Sequence, residues 1–139
     1  MKRLINLYSV KNKTSINGFT NVEINNINDI INYSADHVFC GCLNYMEMDS
    51  IEQILSVIFE KIRPQGYCTL SFVDMKQVCR SYYENSLSNK DLLDLIKDHK
   101  AILSYQNLYE LIEKTQSLKV VQTDFSNNLI NIVIQRAEA

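Results

Sequence analysis

EKIRPQGYCTLSFVD, residues 60–74, carries the clearest structural signal in this chain. Pro64 lacks a backbone N–H and Gly66 resists helical order, so a helix running into this stretch stops there. Residues 67–73 (YCTLSFV) are rich in β-branched and aromatic side chains and predict a strand. Asp74 is suited to cap a following helix. Helix, strand and helix therefore follow one another without a linker, which is the grammar of an α/β sheet.

Working outward, Asp49 and Glu52 form an Asp-x-x-Glu capping pattern. Ile51, Ile54, Leu55, Ile58 and Ile62 follow at helical spacing. Upstream, residues 37–43 (HVFCGCL) predict a buried strand. Residues 2–9 (KRLINLYS) predict another, with Leu4 and Tyr8 on one face and Ile5 and Leu7 on the other. Residues 19–24 (FTNVEI) form a short second strand. The Asn-rich stretch 25–36 is irregular, with a rudimentary strand expected near Ile30 and Ile31. Downstream, Asp74 heads a helix carrying Met75, Val78, Cys79 and Tyr82. Ser88 with Asp91 starts another, carrying Leu92, Leu95 and Ile96. Ser104 starts a fourth, carrying Leu108, Leu111 and Ile112. The chain closes with strands over 118–125 and 129–135 around Ser126, Asn127 and Asn128, a β-hairpin. Strands and helices in this order predict one mostly parallel sheet ended by an antiparallel hairpin, and a single domain over residues 1–139.

Composition narrows the function. Only three glycines occur, Gly18, Gly41 and Gly66, where about ten are expected for this length. No GxGxxG or GxxxxGK[ST] loop can be written, so the usual phosphate cradle is absent. A net charge of −2 offers no footprint for nucleic acid or for an anionic membrane. No apolar run approaches the roughly 20 residues of a membrane span. The start, Met1-Lys2-Arg3, lacks a signal peptide's apolar stretch, so the expected location is cytoplasmic. The thiols of Cys40, Cys42, Cys68 and Cys79 are then expected to be reduced. Cys40 and Cys42 form a CxC near His37, but no second cluster accompanies them, so no metal is expected. The abundance of Asn, Ile, Lys and Tyr suggests an AT-rich, possibly viral, genome.

Three stretches resemble small class I S-adenosylmethionine-dependent methyltransferases of the methyltransferase-domain type. Ile5-Asn6-Leu7, followed by Gly18-Phe19-Thr20-Asn21-Val22-Glu23-Ile24, is similar to the family's LNLGCG…GFINVDI. Ser34-Ala35-Asp36-His37-Val38-Phe39 is similar to its SVDEIY. Residues 60–74 are similar to its RVLKPGGxLxISVPD, the most specific of the three. The resemblance extends over nearly the whole chain. It implies a Rossmann-like sheet and, if cofactor binding is retained, a cofactor site at Leu7, Tyr8, Ser9, Glu23, Cys40 and Gly41. The acidic residue ending the family's second strand accepts hydrogen bonds from ribose hydroxyls, and Glu23 stands in that position.

The departures lie where the chemistry should be. The family's cofactor loop is replaced by Tyr8-Ser9-Val10, which puts side chains where the backbone should be bare. The family's SHVLEH becomes Gly41-Cys42-Leu43-Asn44-Tyr45-Met46, without its acidic residue and histidine. Lys-Pro-Gly-Gly becomes Arg63-Pro64-Gln65-Gly66, and the usual Ala-Gly-Phe near the last helix becomes Thr115-Gln116-Ser117. Asp36 is expected to serve the turn into its strand and Asp74 to serve as a helix cap. His37 and His99 sit in no nucleophile motif; His99 is expected on a helix beside Ile96 and Ile102, for packing. Tyr82 and Tyr83 are read as a helix-face and surface pair, and Lys97, Asp98 and Lys100 as a solvated face. No catalytic set emerges.

The connections are also short. Only nine residues, 10–18, join the first strand to the second, too few for a helical crossover. One sheet face should therefore lack helices, and an uncovered apolar face usually marks an interface. The expectation is a degenerate, non-catalytic methyltransferase fold without cofactor. It would act as an assembly or interaction module, contacting a second copy or another protein through that face. The alternatives are a minimal active methyltransferase that binds S-adenosylmethionine through a rebuilt loop, and an adenosine-binding regulatory module.

Overall fold

The computed structural model describes residues 2–137; Met1, Glu138 and Ala139 lie outside them. The strands are β1 (Leu4–Tyr8), β2 (Thr20–Glu23), β3 (Ala35–Cys40), β4 (Ile62–Val73), β5 (Leu118–Ser126) and β6 (Leu129–Arg136). They form one sheet in the order β2-β1-β3-β4-β6-β5. The β1–β2, β1–β3 and β3–β4 pairs are parallel, and β4–β6 and β6–β5 are antiparallel. The helices are α1 (Ile51–Lys61), α2 (Met75–Tyr83), α3 (Asn89–Ile96) and α4 (Tyr105–Lys114).

This strand order explains which face is covered. A right-handed crossover places its connection on a face decided by the direction in which it steps across the sheet. The connections β2 to β3, β3 to β4 and β4 to β5 all step the same way. They deliver a 3₁₀ helix (Ile24–Asp29), α1 and α4 to one face. There Ile27, Leu55, Ile58, Phe59, Leu108 and Ile112 share a core with Ile5, Leu7, Val38, Leu70, Phe72 and Ile132 of the sheet. The parallel connection from β1 to β2 steps the other way, and its eleven linking residues, 9–19, carry no helix. On that second face Leu4, Phe39 and Val133 are half-buried and stand outside the core.

His37 sits on the open face, its Nε2 2.8 Å from Thr69 Oγ1. It lies between the rings of Phe19 and Tyr67, at centroid distances of 6.0 and 6.4 Å. Burial holds its pKa below the ordinary histidine value, and burial does the same for His99. The folded state therefore resists protonation that the unfolded chain accepts at about pH 6.5. Stability is expected to fall as pH drops from that value toward the lower native ones, and then to level. Thermal midpoints measured between pH 7.5 and 5 check this; a rise on acidification would contradict it.

Several local expectations are corrected. No strand forms at Ile30 and Ile31. Ile24, Ile27 and Ile30 recur every third residue, the period of a 3₁₀ helix, and all three are buried while Ile31 is exposed. The strand expected over 37–43 runs instead over Ala35–Cys40, and Leu43–Tyr45 is a 3₁₀ turn. Asp49 does not cap α1; it lies in a 3₁₀ turn, Met48–Ser50, and the N-cap residue Ser50 makes no side-chain capping bond. Helix α1 ends at Lys61, ahead of Pro64, and Pro64 to Gly66 lie in a bulge within β4. Pairing there jumps from Ala35 with Ile62 to His37 with Tyr67. His99 lies beyond the end of α3, not on a helix.

Other expected signals act as read. Ser88 Oγ accepts from the Asp91 N–H at 3.1 Å, and Ser104 Oγ accepts from the Asn107 N–H at 3.4 Å. Asn127 and Asn128 both have positive φ, as a two-residue hairpin turn between right-twisted strands requires.

Candidate functional site

The six candidate cofactor residues do converge, at the carboxyl ends of β1, β2 and β3. Tyr8 pairs with Glu23 across β1–β2, and Leu7 pairs with Cys40 across β1–β3. Open α/β sheets bind ligands at such strand ends. The side chains of Leu7 and Cys40, however, are fully buried in the core. Alternation along β1 puts Tyr8 on the open face, with Leu4 and Asn6.

What bridges these strand ends is a residue the sequence reading missed. After β1 the chain turns tightly, and the Asn12 N–H donates to both Ser9 O and Ser9 Oγ at 3.1 Å. Asn12 Nδ2 then donates to Gly41 O at 3.3 Å, tying this turn to the end of β3. Ser9 is buried beneath it and Val10 is three-quarters exposed. None of Tyr8, Ser9 and Val10 has positive φ. The turn is thus built in ordinary backbone geometry and does not need glycine.

Past the turn the chain is fastened to the open face by Asn6. This fully buried asparagine donates from Nδ2 to Thr14 O at 3.2 Å, and to Asn21 Oδ1 at 2.9 Å. The Ile16 N–H also donates to Asn21 Oδ1, at 3.1 Å. A polar side chain inside the apolar stretch INL was the one sequence signal for this arrangement.

Glu23 is half-buried, and its carboxylate accepts from Asn25 Nδ2 at 2.9 Å. Asp36 lies at the opposite end of the sheet. It accepts from the Arg3 N–H at 2.6 Å and pairs with Arg63 Nε at 2.5 Å. The Arg3 N–H, with help from the Arg63 charge, holds its carboxyl below the usual range. Asp74 is buried at the N-cap position of α2, but its side chain does not cap that helix. Its Oδ1 accepts instead from the Tyr105 N–H at 3.3 Å, at the start of α4.

His99 packs edge-on against Tyr45, with ring centroids 5.0 Å apart. Its buried Nδ1 has no partner. Cys40 and Cys42 place their sulfurs 3.8 Å apart inside the core. Hydrogen bonding to Cys40, then burial, push the Cys42 thiol far up; burial does the same for Cys68. Among the described residues no group of three or more His, Cys, Asp or Glu comes together to hold a metal.

The hollows on the surface of the described residues include five of 200 to 390 Å³. Two lie between α1 and α4, and share Glu52, Leu111 and Lys114. Three lie around α2. None is lined by Tyr8, Ser9, Glu23, Cys40 or Gly41. No helix among the described residues is long and apolar enough to cross a membrane.

Comparison with solved structures agrees with this architecture. The chain is similar to a SAM-dependent methyltransferase from Archaeoglobus fulgidus, with a TM-score of 0.64 and 10% identity over 97% of this chain and 86% of that one. It is similar to the plantazolicin methyltransferase BamL, solved with S-adenosylhomocysteine, with a TM-score of 0.64 and 12% identity over 98% of this chain and 68% of that one. A possible histamine N-methyltransferase from Thermotoga maritima matches with a TM-score of 0.57 and 19% identity. That match covers 85% of this chain and 63% of the Thermotoga chain. No family model and no curated protein sequence matches. The chain has the class I methyltransferase fold.

Proposed function

We propose that this chain is a non-catalytic member of the fold, an interaction module that keeps the sheet and has given up the cofactor cradle. The observation that carries this reading is the turn closed by Ser9 and Asn12. The Asn12–Gly41 hydrogen bond ties the turn after β1 to the end of β3, the strand ends where a glycine loop would meet the methionine and sugar parts of S-adenosylmethionine. Ser9 is buried beneath that turn. The side chains of Leu7 and Cys40 offer a ligand no surface, which supports this reading.

The competing reading is a minimal active methyltransferase with a rebuilt loop, and Glu23 is the observation on its side. It stands at the end of β2 and is only half-buried. Its carboxylate is nevertheless already engaged by Asn25. A thermal-shift measurement separates the two. A ligand at 100 times its Kd stabilises the fold by about 2.7 kcal/mol, several degrees for a domain of this size. S-adenosylhomocysteine at about 1 mM is expected to leave the midpoint unchanged. A rise of several degrees would contradict the proposal, and methyl transfer would then separate the enzyme from an adenosine-binding module.

A further inference from the structure

Strand β5 (Leu118–Ser126) forms one outer edge of the sheet, and among the described residues β6 is its only strand neighbour. A nine-residue open edge is a template for another strand. Val121 and Phe125 on it are 43% and 54% exposed.

The side chains of this edge suit a second copy of itself. Val120 pairs with Ile134 and Gln122 with Val133, so Val121 is an extra, bulged residue. Lys119 and Asp124 lie opposite Gln135 and Asn131, which puts both on the open face. Leu118, Val120, Thr123 and Phe125 lie opposite Arg136, Ile134, Ile132 and Ile130, on the covered face. Suppose two β5 strands pair antiparallel about a two-fold axis at Gln122. The bulge absorbs one residue in each copy, so Lys119 then faces Asp124, Leu118 faces Phe125, and Val120 faces Thr123. Every opposed pair shares a face, and the charged pair has opposite signs at both of its symmetry-related positions. Among the described residues Lys119 has no ion-pair partner. Asp124 is held in place by Gln122 Nε2 at 2.8 Å. A bulge commonly guards an edge against pairing; here it brings the self-complementary residues into register.

We propose that the chain forms a two-fold dimer by antiparallel pairing of its β5 edges. The two sheets then become one, with helices along one side and a continuous open face along the other. This goes beyond the loss of the cofactor cradle and does not depend on it.

Light scattering across about 1–100 μM tests the proposal, a range in which a weak to moderate complex is visible. The wild-type chain is expected to dimerise. Lys119→Asp and Asp124→Lys each create two like-charge pairs per dimer and are expected to weaken it about tenfold or more. The double variant restores opposite charges and most of the association. The two single variants, mixed, are expected to dimerise with each other more tightly than either does alone, a result that a folding defect cannot imitate. Hydrogen exchange of wild-type β5 amides, slowing as concentration rises, gives a second readout without mutation. A monomer at 100 μM, single variants that dimerise like wild type, or mixed variants that stay apart would each overturn the proposal. So would a dimer broken by Val133→Asp on the open face but not by the edge variants.

Discussion

Asn44→Ala is expected to destabilise the fold by about 3–5 kcal/mol, a large fraction of the roughly 5–15 kcal/mol that holds a domain together. Asn44 is 4% exposed, and its side chain works in both directions. Oδ1 accepts from the Val73 N–H at 2.8 Å, and Nδ2 donates to Ala101 O at 3.3 Å and to Val73 O at 3.5 Å. These bonds pin the segment between α3 and α4 to the end of β4. Alanine would strand a buried N–H and a buried carbonyl, each at about 1–3 kcal/mol, and leave a void. The thermal midpoint should fall by roughly 10 °C or more. Asn44→Asp keeps the acceptor, but at neutral pH it replaces the donor with a buried charge, so it should do no better. Denaturant melts check both. A loss below about 1 kcal/mol for Asn44→Ala would contradict this account of the strand end.

Gly66→Ala is expected to cost about 2–4 kcal/mol, at or above the usual range for an overpacked site. A Cβ there would sit 2.9 Å from Ala35 O, 3.0 Å from Arg63 O and 3.0 Å from Ile62 Cγ2. Two of these neighbours are backbone carbonyls, Ala35 O at the start of β3 and Arg63 O in the bulge of β4, and neither can step aside without moving its strand. The other glycines provide internal comparisons. Gly18 has φ +84 but open space around it, so alanine should cost only about 1–2 kcal/mol of backbone strain. Gly41 would meet a Phe39 ring atom at 3.3 Å, and a ring can shift, so Gly41→Ala should cost under about 1 kcal/mol. The predicted ranking in urea melts is Gly66, then Gly18, then Gly41. A Gly66→Ala variant as stable as wild type would show that the bulge is more pliant than its contacts imply.

How much of this was legible beforehand follows from how local each signal is. The strand over residues 67–73, the caps at Ser88 and Ser104, and the Asn127–Asn128 turn are decided by neighbours in sequence, and all were readable. The uncovered face was readable as well, because nine residues cannot form a crossover helix. The isoleucines at 24, 27 and 30 were misread because a short run with period three is easily taken for irregular chain beside a strand. Asp74 looked like a helix cap because it precedes α2. That its carboxylate turns to Tyr105 depends on α4 arriving from 31 residues away. Asn12 and Asn44 carry no local signature at all. Each joins segments 29 residues apart through a side-chain amide, and only the assembled sheet shows it. The candidate cofactor positions lie together at the ends of β1, β2 and β3. The residue that spans them, Asn12, lies outside the three stretches that carry the resemblance.

The most direct test of the central claim is isothermal titration of the wild-type chain with S-adenosylmethionine and S-adenosylhomocysteine. The rebuilt turn predicts no saturable heat up to about 1 mM ligand, a free energy weaker than about −4 kcal/mol. Saturable binding of either ligand with a Kd in the low micromolar range or tighter, about −7 kcal/mol or better, would contradict it.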